Sequence, residues 1–144
     1  MRILTSREMQ AADEAAITEI GIGSRALMES AGRECAAVIL NSYEKQARRG
    51  VVVAVGSGNN GGDGFVIART LKAAGLSAVV VSCCPAEKLK VDPKANLESW
   101  KRLGGALHQF SDEETDLAAE LLSGAGLIVD AVFGTGFSGE PRGA

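Results

Sequence analysis

The chain has 144 residues, 46% of them hydrophobic but only 4% aromatic, and a net charge of −3, which describes one domain around an aliphatic core. No basic block offers itself to nucleic acid or an anionic membrane, and no apolar run approaches membrane length. The three cysteines, Cys35, Cys83 and Cys84, form neither an even disulfide framework nor a zinc spacing, so they read as reduced thiols of a cytoplasmic protein.

Thr5-Ser6-Arg7-Glu8 reads as a capping box, with Thr5 at the cap of a helix running to about Ile20. Gly21-Ile22-Gly23 stops it, and Ser24 is placed to cap a second helix through Asn41. Leu27, Met28, Ala31, Cys35, Val38 and Ile39 cover a wide apolar face there, which predicts burial. Glu29 and Ser30 border that face. Lys45–Gly50 reads as a polar linker.

Val51–Val55 is an unbroken apolar run suited to a strand buried on both faces. Gly56-Ser57-Gly58-Asn59-Asn60-Gly61-Gly62-Asp63-Gly64 follows as a glycine-rich loop. Phe65–Ala74 predicts a helix with Gly75 at its C-terminal cap. Strand, glycine loop and helix together point backbone N–H groups at an anion. The G-x-G-x-x-G within the loop suggests a dinucleotide-binding unit, but that unit wants an acid about 20 positions on to hold the ribose. Here the second strand, Ser77–Cys83, ends without one. Asp63, able to cap the helix, would also repel a pyrophosphate at its start.

Pro85–Pro93 reads as loop, Lys94–Leu103 as a helix carrying Trp100, and Ala106–Phe110 as a third strand. Ser111 or Asp112 would cap a helix through Leu122, ended by Gly124, before a fourth strand, Leu127–Phe133. His108 reads as structural, and Cys83 and Cys84 lack a base partner for catalysis. Strands alternating with helices predict βαβ units. Right-handed crossovers give the strand order 3-2-1-4, a three-layer Rossmann-like α/β fold with two N-terminal helices. Its switch point lies between the first and fourth strands, where ligands bind. Asp130, the charge in the fourth strand, either caps the next turn or belongs to a site; the second glycine loop, Gly134–Gly143, favours the site.

GSGNNGGDGFVIAR followed by DAVFGTGFSGEPRG closely resembles the NAD(P)H-hydrate epimerases, the YjeF N-terminal domain family, as do LTSREMQAADEAAI and LMESAG. The resemblance runs across residues 1–144. It implies an isomerase that interconverts the R and S forms of hydrated NADH and NADPH, so that a partner ADP- or ATP-dependent dehydratase, fused to this domain in many bacteria, can repair both. It assigns Asn59, Asn60, Gly61, Gly62, Asp63, Gly134, Thr135, Gly136, Phe137, Ser138, Gly139 and Glu140 to the substrate. Asn60 and Asp130 match potassium ligands, whose hard oxygens suit such a cation. Asp130 is the candidate proton shuttle, with Asp63 second. Arg142 is either a surface charge or a contact to cofactor phosphate. A homodimer is implied as well.

Two departures stand out. The family commonly has Asn where this chain has Ser30. Family members also continue to a further strand and an Asp-x-Pro-Ser-Gly motif, so residues 1–144 read as a domain incomplete at its C-terminus, with the fourth strand's edge open. The alternatives from other classes are a non-catalytic nucleotide-binding or interaction module, and a Rossmann-type enzyme dependent on NAD or S-adenosylmethionine.

Overall fold

The structure is a computed structural model describing residues 3–110 and 115–140. Among them, four parallel strands run in the order β3-β2-β1-β4: β1 (Val51–Val55), β2 (Ala78–Ser82), β3 (Ala106–Gln109) and β4 (Leu127–Ala131). β1 pairs with β2 and β4 on either side, Val53 standing opposite both Val80 and Val129. This is the expected order, and the switch point falls between β1 and β4.

α1 (Ser6–Thr18) opens with the predicted capping box: Thr5 accepts from the Glu8 N–H and Glu8 accepts from the Thr5 N–H. α2 (Ser24–Ser42) departs from expectation. Gly23, not Ser24, stands at its cap, and the Ser24 hydroxyl donates instead to Asp92. Its buried stripe is Met28, Gly32, Ala36 and Ile39, while Cys35 and Val38 are exposed. Small residues win the inner positions because α2 crosses α4 (Asn59–Ala73) closely: a Cβ at Gly32 would stand 2.5–2.9 Å from the Val66 side chain and the Asp63 carbonyl. The expected linker after α2 contains a short helix, α3 (Glu44–Ala47), anchored by buried Ala47.

α4 begins six residues earlier than expected, so the second half of the glycine loop, Asn59 to Gly64, is helix. None of these glycines has a positive φ; left-handed glycines occur at helix ends such as Gly21 and Gly75. The helical glycines are needed for close approach. A Cβ on Gly61 would collide with the Gly56 carbonyl, one on Gly56 with the Val132 carbonyl, and one on Gly64 would lie 2.8 Å from Ala131 Cβ and Val55 Cγ1.

α5 (Val91–Arg102) begins inside the expected loop, accommodating Pro93 in its first turn, where a missing N–H costs nothing. Trp100, fully buried, donates from its indole to the Ala106 carbonyl. α6 (Thr115–Gly124) and β4 complete the chain's order; the expected cap at Ser111 or Asp112 lies outside the described residues. The core is aliphatic as expected, with Val51, Val53, Val55, Phe65 and Leu71 at its centre. Among the described residues no helix is long and apolar enough to cross a membrane.

The glycine contacts generate a prediction. Alanine gains about 1 kcal/mol over glycine in a helix interior, so Gly61→Ala would stabilise the chain if propensity ruled. Its Cβ meets backbone, which cannot swing away, and overpacking of about 1–3 kcal/mol outweighs that gain. At Gly62 the Cβ meets the flexible end of Met28. Urea unfolding is therefore expected to show Gly61→Ala clearly destabilised and Gly62→Ala much closer to the parent. Equal midpoints would contradict this packing account.

Candidate functional site

The α4 N-terminus stands at the C-terminal end of β1, and its capping residue Gly58 supplies no side-chain bond. Its first N–H groups are therefore oriented toward the crevice for an anion or a polar ligand. Across the switch point, β4 runs into the second glycine loop. There the Phe137 N–H bonds back to the Gly134 carbonyl at 3.0 Å, and the rings of Phe133 and Phe137 pack with centroids 4.1 Å apart.

Asn60 joins the two loops. Its amide Nδ2 donates to the Phe133 carbonyl at 2.9 Å, and a Cβ at Gly134 would stand 3.3 Å from Asn60 Cβ. With the amide nitrogen engaged, Asn60 Oδ1 is the atom left for a ligand. Asp130 sits level with Ala54 of β1 and is exposed at the sheet's rim. Its Oδ1 accepts the Val132 N–H at 3.0 Å, so one oxygen does cap the turn and the other is left for a ligand.

Asn60, Asp63 and Asp130 line one cavity of about 320 Å³, with Ala31, Cys35 and Ile39 of α2 and Ile67 of α4 as its apolar wall. The expected partners across the switch point thus meet. Asp63 does not cap the helix; it lies within the second turn of α4, half-buried. Burial and then the neighbouring Asp13 carboxylate push its pKa up from 3.8 to about 6. Thr135, Gly136, Ser138, Gly139 and Glu140 lie in the exposed second loop, whereas Gly61 and Gly62 are buried, the missing Cβ of each facing protein. Asn59 is exposed at the helix start. Arg142 lies outside the described residues.

Glu29 and Ser30 contribute no cleft. Glu29 pairs with Arg69, tying α2 to α4, and Ser30 is exposed. Cys83 stands at the rim near Asp130, and burial, Cys84 and Asp130 all raise its thiol pKa, leaving it a poor nucleophile. For a metal, the described residues contain no cluster of three or more His, Cys, Asp or Glu. The donors that remain, an amide oxygen and a carboxylate oxygen, fit a hard monovalent cation better than a transition metal. Gln10 of α1 comes close to the second glycine loop, its Nε2 standing 3.7 Å from where a Cβ on Gly136 would be, and the sequence carries no signal for that tertiary contact.

Residues 24–144 match the family model described as YjeF-related protein N-terminus. The chain is 40% identical to the NAD(P)H-hydrate epimerase of Pirellula staleyi, covering 99% of this chain and 62% of that protein. It is also 40% identical to the bifunctional NAD(P)H-hydrate repair enzyme Nnr of Salinibacter ruber, covering 97% of this chain and 27% of the relative. The crystal structure of the yeast protein YNL200c superposes with a TM-score of 0.83 at 30% identity, covering 99% of this chain and 60% of that one. The chain thus spans less than two thirds of the length of each of these relatives.

The Asp63 environment predicts a pH dependence. The folded chain keeps the Asp63 proton up to about pH 6, and the unfolded chain releases it near 3.8. Between those values the native state binds more protons, so this group's contribution to stability is full at low pH and falls as pH rises through the window. NMR titration of the Asp63 carboxyl is expected to give a midpoint near 6, lowered by Asp13→Asn. Asp63→Asn should remove that fall in stability. A midpoint in the ordinary carboxylate range would refute the assignment.

Proposed function

The chain belongs to the YjeF-related protein N-terminus family, and on that premise we propose that it epimerises hydrated NADH and NADPH as part of nicotinamide cofactor repair. The observation that carries this reading is the shared cavity: Asn60, Asp63 and Asp130 converge from two glycine-flanked strand ends beside an apolar wall. A polar donor set facing an apolar wall suits a hydrated nicotinamide ring, and the free N–H groups of α4 suit its phosphates.

The chemistry asked of the site is proton transfer. The hydroxyl at C6 of the ring leaves as water after accepting a proton, while the ring nitrogen's lone pair closes a C=N bond. Water then adds to the opposite face of C6 and gives up a proton, so the overall reaction inverts one centre with no net change in atoms or charge. Asp130 is assigned as the base. Asp63, with its pKa near 6, exists in both protonation states around neutrality and is the matching acid. A potassium ion, when bound, would supply a fixed positive charge; Asn60 Oδ1 and the second Asp130 oxygen would hold it. Thr135, Gly136, Phe137, Ser138, Gly139 and Glu140, with Arg142, are assigned to the cofactor's ribose and phosphates. A homodimer accords with Met9 and Ile17, apolar side chains exposed on α1. Fusion to a dehydratase, in line with a Salinibacter ruber relative whose name calls it a bifunctional repair enzyme, and a cytoplasmic location complete the reading.

The test starts from the isolated epimer that the dehydratase cannot use and follows its conversion, corrected for the uncatalysed rate. Asp130→Asn is nearly isosteric, and its loss as a base is expected to slow the full-length enzyme by ~10²-fold or more. Asp116→Asn, on exposed α6, should leave the rate unchanged. Wild-type turnover by Asp130→Asn would move the base elsewhere; tight binding of ordinary NAD with no epimerisation would favour a plain dinucleotide-binding domain. Exchanging potassium for tetramethylammonium is expected to weaken binding of the hydrated cofactor, and indifference to the exchange would remove the cation from the site.

A further inference from the structure

A dinucleotide laid across a doubly wound sheet puts its pyrophosphate at the helix after the first strand. Its adenosine ribose reaches the end of the second, where an acid takes the 2′-hydroxyl or a cation takes a 2′-phosphate. β2 ends at Ser82 with no acid, and the segment after it carries lysines. The Cys83 N–H donates to the Val55 carbonyl at 2.8 Å, so the chain leaves β2 alongside the first glycine loop. It then makes a 3₁₀ turn, Ala86–Lys88, and returns to that loop, where the Lys90 N–H donates to the Ser57 carbonyl at 3.3 Å. Leu89 is buried in the core and pins the segment, while Lys88 and Lys90 on either side of it are exposed.

We propose that Lys88 and Lys90 form a subsite for the 2′-phosphate of hydrated NADPH and are specificity residues for the phosphorylated cofactor. This rests on the epimerase reading above, which puts the hydrated ring in the cavity beside β4. Ser82, Val55 and Ala131 stand level across β2, β1 and β4. The end of β2 is therefore two strand spacings, about 10 Å, from the end of β4, with the free N–H groups of α4 between them for the pyrophosphate. The second glycine loop serves the ribose and phosphate on the ring's side. What lies beyond the pyrophosphate, at the end of β2, is the adenosine ribose.

The electrostatics there favour an anion. Lys90 is also the residue from which α5 starts, and its side chain makes no capping bond. α4 and α5 begin side by side: a Cβ on Gly62 would lie 3.2 Å from Pro93 Cγ, and the Asn96 amide reaches the Gly62 carbonyl at 3.4 Å. Two helix N-termini thus turn their positive ends to the same side of the sheet. Neither lysine forms an ion pair among the described residues. Asp92, the acid in the first turn of α5, is taken up by the Ser24 hydroxyl. Glu87 is the carboxylate left on the segment, and residues of a 3₁₀ turn diverge by about 120° per step, so Glu87 and Lys88 leave it in different directions. A neutral 2′-hydroxyl gains little from two cations, whereas a phosphate gains charge-assisted hydrogen bonds from both.

The experiment assays the full-length enzyme with hydrated NADPH and hydrated NADH. It also titrates the enzyme by calorimetry with adenosine 2′,5′-bisphosphate and adenosine 5′-monophosphate, which lack the reacting ring. Hydrogen bonds to charged groups are the strong ones, so wild type should favour the 2′-phosphorylated member of each pair by ~10-fold or more. The preference should lie in KM, because the phosphate is remote from the reacting carbon, and should shrink as salt rises. Replacing both Lys88→Ala and Lys90→Ala should abolish it in both assays while hydrated NADH is turned over as by wild type. Replacing both by Arg should keep it. Lys45→Ala, which removes a charge on α3 at the opposite end of the sheet, is the control. Equal treatment of each pair by wild type, or equal losses for both substrates in the double alanine variant, would overturn the proposal while leaving the epimerase reading intact. Loss of hydrated NADH turnover in Glu87→Gln would overturn it too, by marking an acid that holds the ribose. Selective binding of the bisphosphate by a wild type that epimerises neither hydrated cofactor would remove the epimerase reading and keep the subsite for an NADP-type ligand.

Discussion

The structure depends on a seam without Cβ atoms where α4 meets the ends of β1 and β4. Gly56, Gly61 and Gly64 are each so close to neighbouring backbone or core side chains that a single methyl would not fit. That closeness brings the helix N-terminus, with its unpaired N–H groups, directly onto the switch point. It also sets Asn60 within hydrogen-bond reach of the Phe133 carbonyl, so that one side chain fixes both glycine loops. Without the seam, the helix would stand back from the sheet, and the residues of the two loops would not share a cavity.

A second close approach follows from the first. α2 crosses α4 at Gly32, beside the Asp63 carbonyl and Val66, and the Glu29–Arg69 pair closes the crossing. Covering this part of α4 desolvates Asp63, which is the main reason its pKa rises. Packing of small residues thus sets the proton affinity of a group in the crevice. Salt bridges at partly exposed positions are worth little by themselves; here the pair matters for where it holds α2. The buried Asn96 amide, which donates to the Met28 thioether at 3.1 Å and less closely to the Gly62 carbonyl, ties α5 to the same crossing.

Much of this was legible in the residues. The valine run of β1, the turn at Gly75 and the capping box at Thr5 are local signals, each produced by a few neighbouring residues, and the structure matches them. The strand order followed from crossover handedness, which is also a local chirality effect. The early start of α4 was not legible, because glycine and asparagine have poor helix propensity and read as loop. Contacts with the strand ends repay that cost, and no local rule records them. The same reason explains α2: periodicity marked a wide apolar face, but only the crossing at Gly32 selects Ala36 and Gly32 for burial and leaves Cys35 and Val38 exposed on the open cavity beside Asp130.

The sequence by itself determined the four strands, their order and the two glycine-rich segments that flank the switch point. These depend on hydrophobic period, turn residues and chain chirality, all of which act over short separations. Only the tertiary structure decided that Gly56, Gly61 and Gly64 of the first segment serve packing and not left-handed turns, and that Asp63 is desolvated. Such facts depend on distances between elements remote in the chain, and a distance of that kind is set by the sum of many packing contacts, none of which is written in any one stretch.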